Sequence, residues 1–365
     1  MSFLTEIKSQ AENLWVFRPF FPVLKVIRDA ITFPIDYYFG DGRSRALPSI
    51  VNLNVTTICN LNCPFCFNHD ILGKRNNEMS LQELTSLLDQ LARNRVGLFL
   101  TGGEPFARKD IYEIIEEAKR RKLPVGVVTN GTLLCEDDVV RLRRIGLDVV
   151  VISFHGTRDV HDETVGKPGA YDKTMATLDL FRKHWPAPGP MINYIATEKS
   201  VACLDAFLDE IRHKKNVMRR LSHLNFITPA EAAANGGYWK KHFGREPEKV
   251  LHYVCDAPGE IDEALMDILG RGKNANVFTK PFLTRREAKM WYSDSFDIKR
   301  RCVFVWRSAF IDSDGEVYPC QYLYLKMGNV KEKSLDEIWS SGEYRRFRAF
   351  IREGLTPACS RCCKL

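Results

Sequence analysis

The sequence predicts an α/β fold. A partial (β/α)6 barrel spans residues 47–228, with an N-terminal helical segment (1–46) before it, and a bridge or lid region (229–300) and a small C-terminal domain (301–365) after it. Three observations predict this. Strand-like apolar runs alternate with amphipathic helical patterns from residue 50 to residue 227, which implies parallel strands joined by helical crossovers. The alternation stops after residue 229, where Gly236-Gly237, mixed charges and helical stretches at 260–270 and 284–292 take over. Beyond residue 301 the chain is turn-rich and holds five of its eleven cysteines.

Taken in order, the first segment is rich in aromatics (Phe3, Trp15, Phe17, Phe20, Phe21, Phe33, Tyr37, Tyr38, Phe39) and carries Pro19, Pro22 and Pro34. Two short helices broken at the prolines are expected. Val23, Leu24, Val26, Ile27, Ala30 and Ile31 fall largely on one side of a helix, with Lys25, Arg28 and Asp29 between them. Such a face either packs on the barrel or lies on a membrane surface, with Trp15 and the phenylalanines at headgroup level. Asp41-Gly42-Arg43-Ser44 reads as a linker. Strands are then expected over Ile50–Thr56, Val96–Thr101, Pro124–Thr129, Leu147–Phe154, Met191–Ala196 and His223–Ile227. Helices are expected near 80–94, 109–122, 136–145, 171–184 and 201–214. Six such strands fit an incomplete barrel better than an eight-fold one.

Composition narrows the function classes. Of 365 residues, 45% are hydrophobic and 27% charged, as in folded proteins and unlike disordered ones. A net charge of +7 favours anionic partners without establishing one. No basic stripe interleaved with aromatics appears beyond Arg345-Arg346-Phe347-Arg348, which reads as a solvated helix face, so nucleic acid is not expected as a partner. Glu6, Lys8 and Glu12 interrupt any secretory core, and no run of roughly 18 apolar residues occurs. A cytoplasmic location is expected, with a peripheral position on the inner face of a membrane as its extension. In a reducing compartment eleven cysteines point to metal or redox chemistry and not to disulfides.

The first cysteine group, Cys59-Asn60-Leu61-Asn62-Cys63-Pro64-Phe65-Cys66, follows the first strand with C-x3-C-x2-C spacing. Thiolates hold iron–sulfur clusters, and a cubane needs four ligands. Three cysteines on one loop hold three irons and leave the fourth open to a small molecule, as an open metal site does. The alternative is a zinc loop borrowing a fourth ligand. Thr101-Gly102-Gly103-Glu104-Pro105 follows the second strand, Thr129-Asn130-Gly131-Thr132 closes the third, Ser153 ends the fourth and Asn193 lies in the fifth. Polar residues at the C-terminal ends of parallel strands sit where barrel active sites form.

The cysteine loop and these motifs, in this order, resemble the radical S-adenosylmethionine (radical SAM) superfamily. The resemblance implies a 4Fe–4S cluster held by Cys59, Cys63 and Cys66, with S-adenosylmethionine completing the coordination. It implies cofactor contacts from Phe65, Gly102, Gly103, Glu104, Pro105, Thr129, Asn130, Ser153 and Asn193, with Glu104 accepting from the cofactor's ammonium. Where relatives often carry Arg-Gly after His161-Asp162, this chain has Val165-Gly166-Lys167, so Lys167 is the candidate for the cofactor carboxylate, as a point charge. His155 is a candidate general base or a structural histidine.

Of the remaining cysteines, Cys135, Cys203 and Cys255 are isolated and read as incidental thiols. Cys302, Cys320, Cys359 and Cys362 form a C-x17-C-x38-C-x2-C set with Cys363 adjacent, and Ile311–Gly315 reads as a strand entering a tight turn that presents Cys320. With Gly328-Asn329-Val330, Leu335–Trp339 and Phe347-Arg348, this segment resembles the auxiliary-cluster domain called SPASM, or its shortened form, twitch. The resemblance implies one auxiliary 4Fe–4S cluster on Cys302, Cys320, Cys359 and Cys362, with Cys363 as a spare able to replace Cys362. A structural zinc site is the alternative.

Together the resemblances imply an enzyme that receives an electron from a flavodoxin- or ferredoxin-type donor and cleaves S-adenosylmethionine to a 5′-deoxyadenosyl radical. That radical takes hydrogen from an unactivated substrate carbon. The subclass stays open between an oxidoreductase and a bond-forming enzyme. A lipid or lipid-linked substrate follows if the N-terminal helix lies on a membrane. Maturation of a ribosomally made peptide, oxidation of a small molecule or sugar, and a non-catalytic metal-stabilised binding protein are the competing readings.

Overall fold

The computed structural model describes residues 23–74, 77–185, 189–250, 253–256, 259, 261–274, 276–294, 296 and 300–365, the side chains of 23–30 excepted. The apolar runs become strands β1 (Ile50–Thr56), β2 (Gly97–Gly102), β3 (Val125–Thr129), β4 (Val149–Phe154), β5 (Met191–Ala196) and β6 (Met218–His223). Then come β7 (Phe226–Ile227), β8 (Tyr253–Val254), β9 (Val277–Lys280), β10 (Ser308–Ile311), β11 (Glu316–Tyr318) and β12 (Gly328–Asn329). One sheet runs β12-β11-β10-β1-β2-β3-β4-β5-β6-β9, and β7 pairs with β8 in a second. From β10 through β9 every pair is parallel. The β10–β11 and β11–β12 pairs are antiparallel.

The helices pack outside this sheet for reasons local to their sequence. Helix Leu81–Arg93 begins at a Ser80/Glu83 capping box and buries Leu84, Leu87, Leu88 and Leu91, an i, i+3, i+4, i+7 stripe. Helix Ile111–Arg120 does the same with Ile111, Ile114, Ile115 and Ala118. On the concave side of the sheet, Ile50, Val149, Val151 and Met191 form a separate apolar cluster against Phe99, Val128, Met218 and Phe278. That cluster is the floor of the barrel.

The sixth strand lies five residues earlier than the sequence pattern suggests. Arg219-Arg220 masks it, because strands with two consecutive arginines read as surface. Arg219 points outward and buries its guanidinium against the carbonyls of Ile211 (3.0 Å) and Lys214 (3.0 Å), while Arg220 points inward. Phe226–Ile227 pairs instead with Tyr253–Val254. The barrel also gains two parallel neighbours not expected from sequence, the four-residue strands β9 beside β6 and β10 beside β1. Both are too short to carry a period of their own.

At the N-terminus, residues 1–22, including Trp15 and the phenylalanines up to Phe21, lie outside the described residues, as do the side chains of Val23, Leu24, Val26, Ile27 and Ala30. The expected break at Pro34 does not occur, since helix Val23–Phe39 runs through it. Tertiary anchoring compensates for the lost hydrogen bond. Tyr37 packs edge-on against Trp306 (4.9 Å between centroids), and Arg352 donates to the Tyr37 carbonyl (3.2 Å) and to that of Gly40. Among the described residues, no helix is long and apolar enough to cross a membrane.

The arginine run in helix Gly342–Glu353 is not a solvated face. Arg348 is fully buried, donates to the carbonyls of Val305 (3.0 Å) and Trp339 (3.0 Å), and lies over the rings of Trp339 and Tyr344. Arg345 pairs with Asp41, and Arg346 caps the Phe243 carbonyl and covers its ring. The run clamps the 40–43 linker and the bridge region onto the C-terminal domain.

Arg361, between Cys359 and Cys362, plays a similar part for the last loop. It is fully buried, donates to the carbonyls of Trp291 (2.6 Å) and Ser293 (2.6 Å), and pairs with Glu231 (2.6 Å). Replacing Arg361 with Ala strands a largely buried carboxylate and two carbonyls, so we expect a loss of about 3–5 kcal/mol. Urea unfolding of the reconstituted protein measures this, and an unchanged midpoint would contradict the anchoring role.

Candidate active site

The cysteine loop starts where β1 ends, and its position is set by backbone contact with the end of β2. The Gly103 N–H donates to the Thr56 carbonyl (2.8 Å) and the Glu104 N–H to that of Ile58 (2.7 Å). A Cβ at Gly102, whose φ is +133°, would lie 2.4 Å from the Thr56 oxygen, and one at Gly103 would lie 2.1 Å from the Ile58 oxygen. The two glycines therefore admit the cysteine loop itself. The motif alone suggests that they admit a ligand to the backbone, and the packing gives them this additional and more direct reason.

Glu104 is buried and accepts from Thr129 Oγ1 (2.7 Å) and the amides of Asn130 (2.7 Å) and Phe106 (3.2 Å). Burial pushes its carboxyl up to about 7 against the pull of those donors. A cation arriving beside it would restore the carboxylate. Asn130 Nδ2 donates to Asn60 Oδ1 (3.0 Å) and Asn60 Nδ2 to Thr132 Oγ1 (2.7 Å), tying the TNGT turn to the cysteine loop.

These groups open into one cavity of about 300 Å3 at the C-terminal ends of the parallel strands. Cys59, Cys63, Phe65 and Cys66 line it, with Gly102, Gly103 and Glu104 beside them. Thr129, Asn130, Ser153, His155 and Asn193 complete the set expected from sequence. Two candidates lie elsewhere. Pro105 begins the turn Pro105–Ala107 behind the glycines, and Lys167 turns its ammonium to the Asn60 carbonyl (3.4 Å).

The loop thiols suit a cationic iron group. Burial raises all three, Cys63 to about 12 and Cys66 to about 11; the neighbouring thiols add to it at Cys63 and Cys66, and Glu104 at Cys59. Buried thiols that cannot ionise together on their own are stabilised as thiolates by a metal.

A second, smaller cavity is lined by Cys302, Cys320, Cys359 and Cys362. Burial, then each other's charge, pushes Cys302 up to about 12; burial likewise brings Cys320 to about 12. Cys363 is hydrogen-bonded through its thiol to Cys362. It lines the large cavity, 3.8 Å from the Tyr322 hydroxyl, with its amide donating to Asn225 Oδ1 (2.7 Å). Phe304, Tyr322 and Lys364 line both cavities and form the partition between them. The isolated thiols have local tasks: Cys203 Sγ accepts from the Thr157 amide (3.4 Å), and Cys135 caps helix Glu136–Ile145.

Several lining residues were not identified from sequence, among them His161, Arg220, His223, Asn225 and Tyr322. Arg220 and Ser222 alternate along β6 and both bond Asn193 Oδ1 (2.8 and 2.7 Å), a period of two that the displaced strand register hid. His223 bonds the Tyr292 hydroxyl (2.8 Å), and burial pushes its ring down to about 3.

Comparison with known proteins agrees with this geometry. A family model for the radical SAM superfamily matches residues 53–196, and one for the SPASM iron–sulfur cluster-binding domain matches 302–363. The chain is 27% identical to an AdoMet-dependent heme synthase of Methanosarcina barkeri, covering 86% of this chain and 88% of that protein. It is 33% identical to a PqqA peptide cyclase of Gluconobacter oxydans, covering 86% and 82%. Among solved structures, SuiB of Streptococcus suis bound to the precursor peptide SuiA superposes with a TM-score of 0.62 at 19% identity, covering 88% of this chain and 77% of that one. Native anSMEcpe with bound AdoMet gives 0.58 at 19%, covering 82% of each.

Two thiol-lined cavities lead to a metal count. Anaerobically reconstituted protein should hold about eight irons and eight sulfides per chain, and about four of each after Cys302 and Cys320 are both changed to Ala. Stoichiometric zinc at the second cavity by elemental analysis would overturn the cluster assignment there.

Proposed function

Because this chain belongs to the radical SAM superfamily and carries a SPASM domain, we propose that its barrel lumen is where a hydrogen atom is taken from an unactivated carbon of the substrate. It is a radical SAM enzyme; its domains imply one 4Fe–4S cluster with S-adenosylmethionine and an auxiliary cluster, and such enzymes need a reductant and a substrate. When bound, the cluster and cofactor supply one-electron cleavage of a sulfonium and so a carbon radical. Cys59, Cys63 and Cys66 would hold the first cluster, and Cys302, Cys320, Cys359 and Cys362 the second. The carrying observation is that the cysteine loop, Glu104 and the strand-end polar side chains all open into one cavity that shares a wall with the second thiol set.

The chain's own residues bind, orient and exclude. Glu104 would accept from the cofactor's ammonium through a carboxylate whose Oε1 is oriented by Thr129 and whose Oε2 is oriented by Asn130. Ser153 and Asn193 present polar atoms one layer above the apolar floor, opposite one another in register. The floor closes the strand N-terminal end to water, and the C-terminal domain covers the other side through Tyr322, Cys363 and Lys364. His155 is not a general base in this reading, because burial pushes its ring down to about 3 and leaves it a poor proton acceptor. The electron comes from a donor of the flavodoxin or ferredoxin class.

Anaerobic incubation with dithionite and S-adenosylmethionine should yield 5′-deoxyadenosine from the native chain. Ala at Cys59, Cys63 or Cys66 should abolish it, and undiminished product in any of the three sinks the assignment.

For the substrate, a lipid or lipid-linked molecule met at a membrane surface is one reading. Its support is helix Val23–Phe39, which leaves Ile31, Ile35, Tyr38 and Phe39 exposed at i, i+4, i+7 and i+8, Phe39 at 85%. That stripe continues the apolar side read from sequence, and a few inserted side chains give reversible binding. A peptide is the second reading, supported by the relative named a peptide cyclase. Flotation with anionic vesicles, comparing the full chain with one starting at Ala46, separates them. The membrane reading predicts that only the full chain floats; equal flotation of both, or of neither, rejects it and favours the peptide.

A further inference from the structure

The large cavity carries an imbalance of charge. Among the described residues that line it, Arg220, Lys280 and Lys364 are basic and Glu104 alone is acidic. His155, His161 and His223 also line it, but burial pushes their rings down to about 3, about 4 and about 3, so they hold no charge near neutral pH. Glu104 faces the cofactor's ammonium in the proposed function. The cofactor brings a sulfonium and an ammonium against one carboxylate, so its arrival does not offset the basic side chains.

Strand register places two of the three side by side. Arg220 of β6 pairs with Phe278 of β9, and Ser222 pairs with Lys280. By the strand period Arg220 and Ser222 share the lumen face of β6, and Lys280 stands on β9 one layer nearer the C-terminal ends of the strands. The Arg220 guanidinium is located by Asn193, to whose Oδ1 its Nε donates (2.8 Å). Lys364 arrives from the C-terminal domain, with its ammonium 5.0 Å over the ring of Phe304, another lining residue. After the hydrogen bond from Cys362, the charges of Lys364 and Lys280 both pull the Cys363 thiol down, so the two ammonium groups converge on one part of the wall. A thiolate at Cys363 would offset one of the three charges and not all of them. Like charges at neighbouring positions repel, more so away from bulk water, and a cleft lined by one sign of charge concentrates the opposite one.

Resting on the proposed function, we propose that the substrate carries an anionic group, a carboxylate or a phosphate, which Lys280, Lys364 and Arg220 receive in the lumen. The contact selects the substrate and fixes which of its carbons lies toward the cysteine loop. It applies to a lipid-linked phosphate and to an acidic peptide side chain alike, and the anion is their shared chemistry.

Three probes of similar size test this: phenylbutyrate, phenylpropyl phosphate and phenylbutanol. Each is titrated by equilibrium dialysis against reconstituted protein with S-adenosylmethionine bound and no reductant present, after iron content shows that the clusters have assembled. Both anions should bind about 10-fold or more tightly than the alcohol. Lys280→Met and Lys364→Met, on different domains, should each weaken the anions by about 10-fold and move the alcohol by less than about 2-fold. Lys280→Arg keeps a charge-assisted donor and should hold the anions within about 3-fold of native. The tighter of the two anions tells a carboxylate-bearing substrate from a phosphate-bearing one. An alcohol that binds as well as the anions overturns the proposal, as does binding by none of the three or an equal loss of all three in both Met variants. A loss of S-adenosylmethionine affinity that exceeds the loss of the anions overturns it too, because the cations then serve the cofactor's carboxylate. A native chain that binds the anions yet forms no 5′-deoxyadenosine with dithionite overturns the proposed function and leaves the anion site standing.

Discussion

Much of the site depends on the close approach of two backbones, the end of β2 and the start of the cysteine loop. Two hydrogen bonds, from Gly103 and Glu104 to the carbonyls of Thr56 and Ile58, hold that approach, and no side chain larger than hydrogen fits at Gly102 or Gly103. The consequence runs in both directions along the chain. One residue past Ile58 the loop delivers Cys59, and at the other partner the same contact aims Glu104 into the cavity. Arg108 braces the assembly from behind, donating to the carbonyls of Val55 (2.6 Å) and Met79 (2.7 Å). The cysteine loop and a buried carboxylate are thus positioned by one local constraint.

A buried polar chain carries this constraint into the C-terminal domain. Asn68, just after the last loop cysteine, donates to the Gly102 carbonyl (2.8 Å), while Asn54 in β1 donates to Asp312 Oδ1 (3.1 Å) and lies 3.5 Å from Asn68 Oδ1. Asp312 closes β10 and also accepts from the Tyr324 hydroxyl (2.9 Å). Hydrogen-bonded polar groups in a low-dielectric interior favour one arrangement, because others leave more donors or acceptors unmet. The parallel pairing of β1 with β10 then makes the C-terminal domain an extension of the barrel sheet, with Cys302 before β10 and Cys320 after β11.

What could be read from sequence follows from how chemistry is encoded. Cys59, Cys63, Cys66, Gly102, Gly103 and Glu104 are close in the chain and short in spacing, and the structure brings them together as read. The long-range set of Cys302, Cys320, Cys359 and Cys362 converges on one cavity, and Cys363, whose thiol bonds that of Cys362, borders the large cavity as well. β6 was displaced because its arginines serve two different environments, one capping a helix end and one facing the lumen. Arg348 and Arg361 were misjudged or missed because burial of a guanidinium needs carbonyl and aromatic partners from elements far away in sequence. Charge patterning along the chain does not report such partners.

The last loop of the C-terminal domain borders both cavities. The domain buries apolar side chains such as Val317, Leu325, Leu335, Ile338 and Phe347, and its last loop is held in addition by charged anchors: Arg361 on Glu231, and Arg300, which reaches the Leu365 carbonyl (3.4 Å), on Glu287 (2.9 Å) and the Phe282 carbonyl (2.7 Å). Anchored on both sides, the Cys359–Leu365 segment presents one face to the thiol-lined cavity and the other to the lumen, with Phe304 under Lys364 (5.0 Å) and Tyr322 between them. A single layer of side chains separates the two spaces. The geometry lets the same seven residues close the lumen to water and complete the second thiol set, so neither task can be altered without disturbing the other.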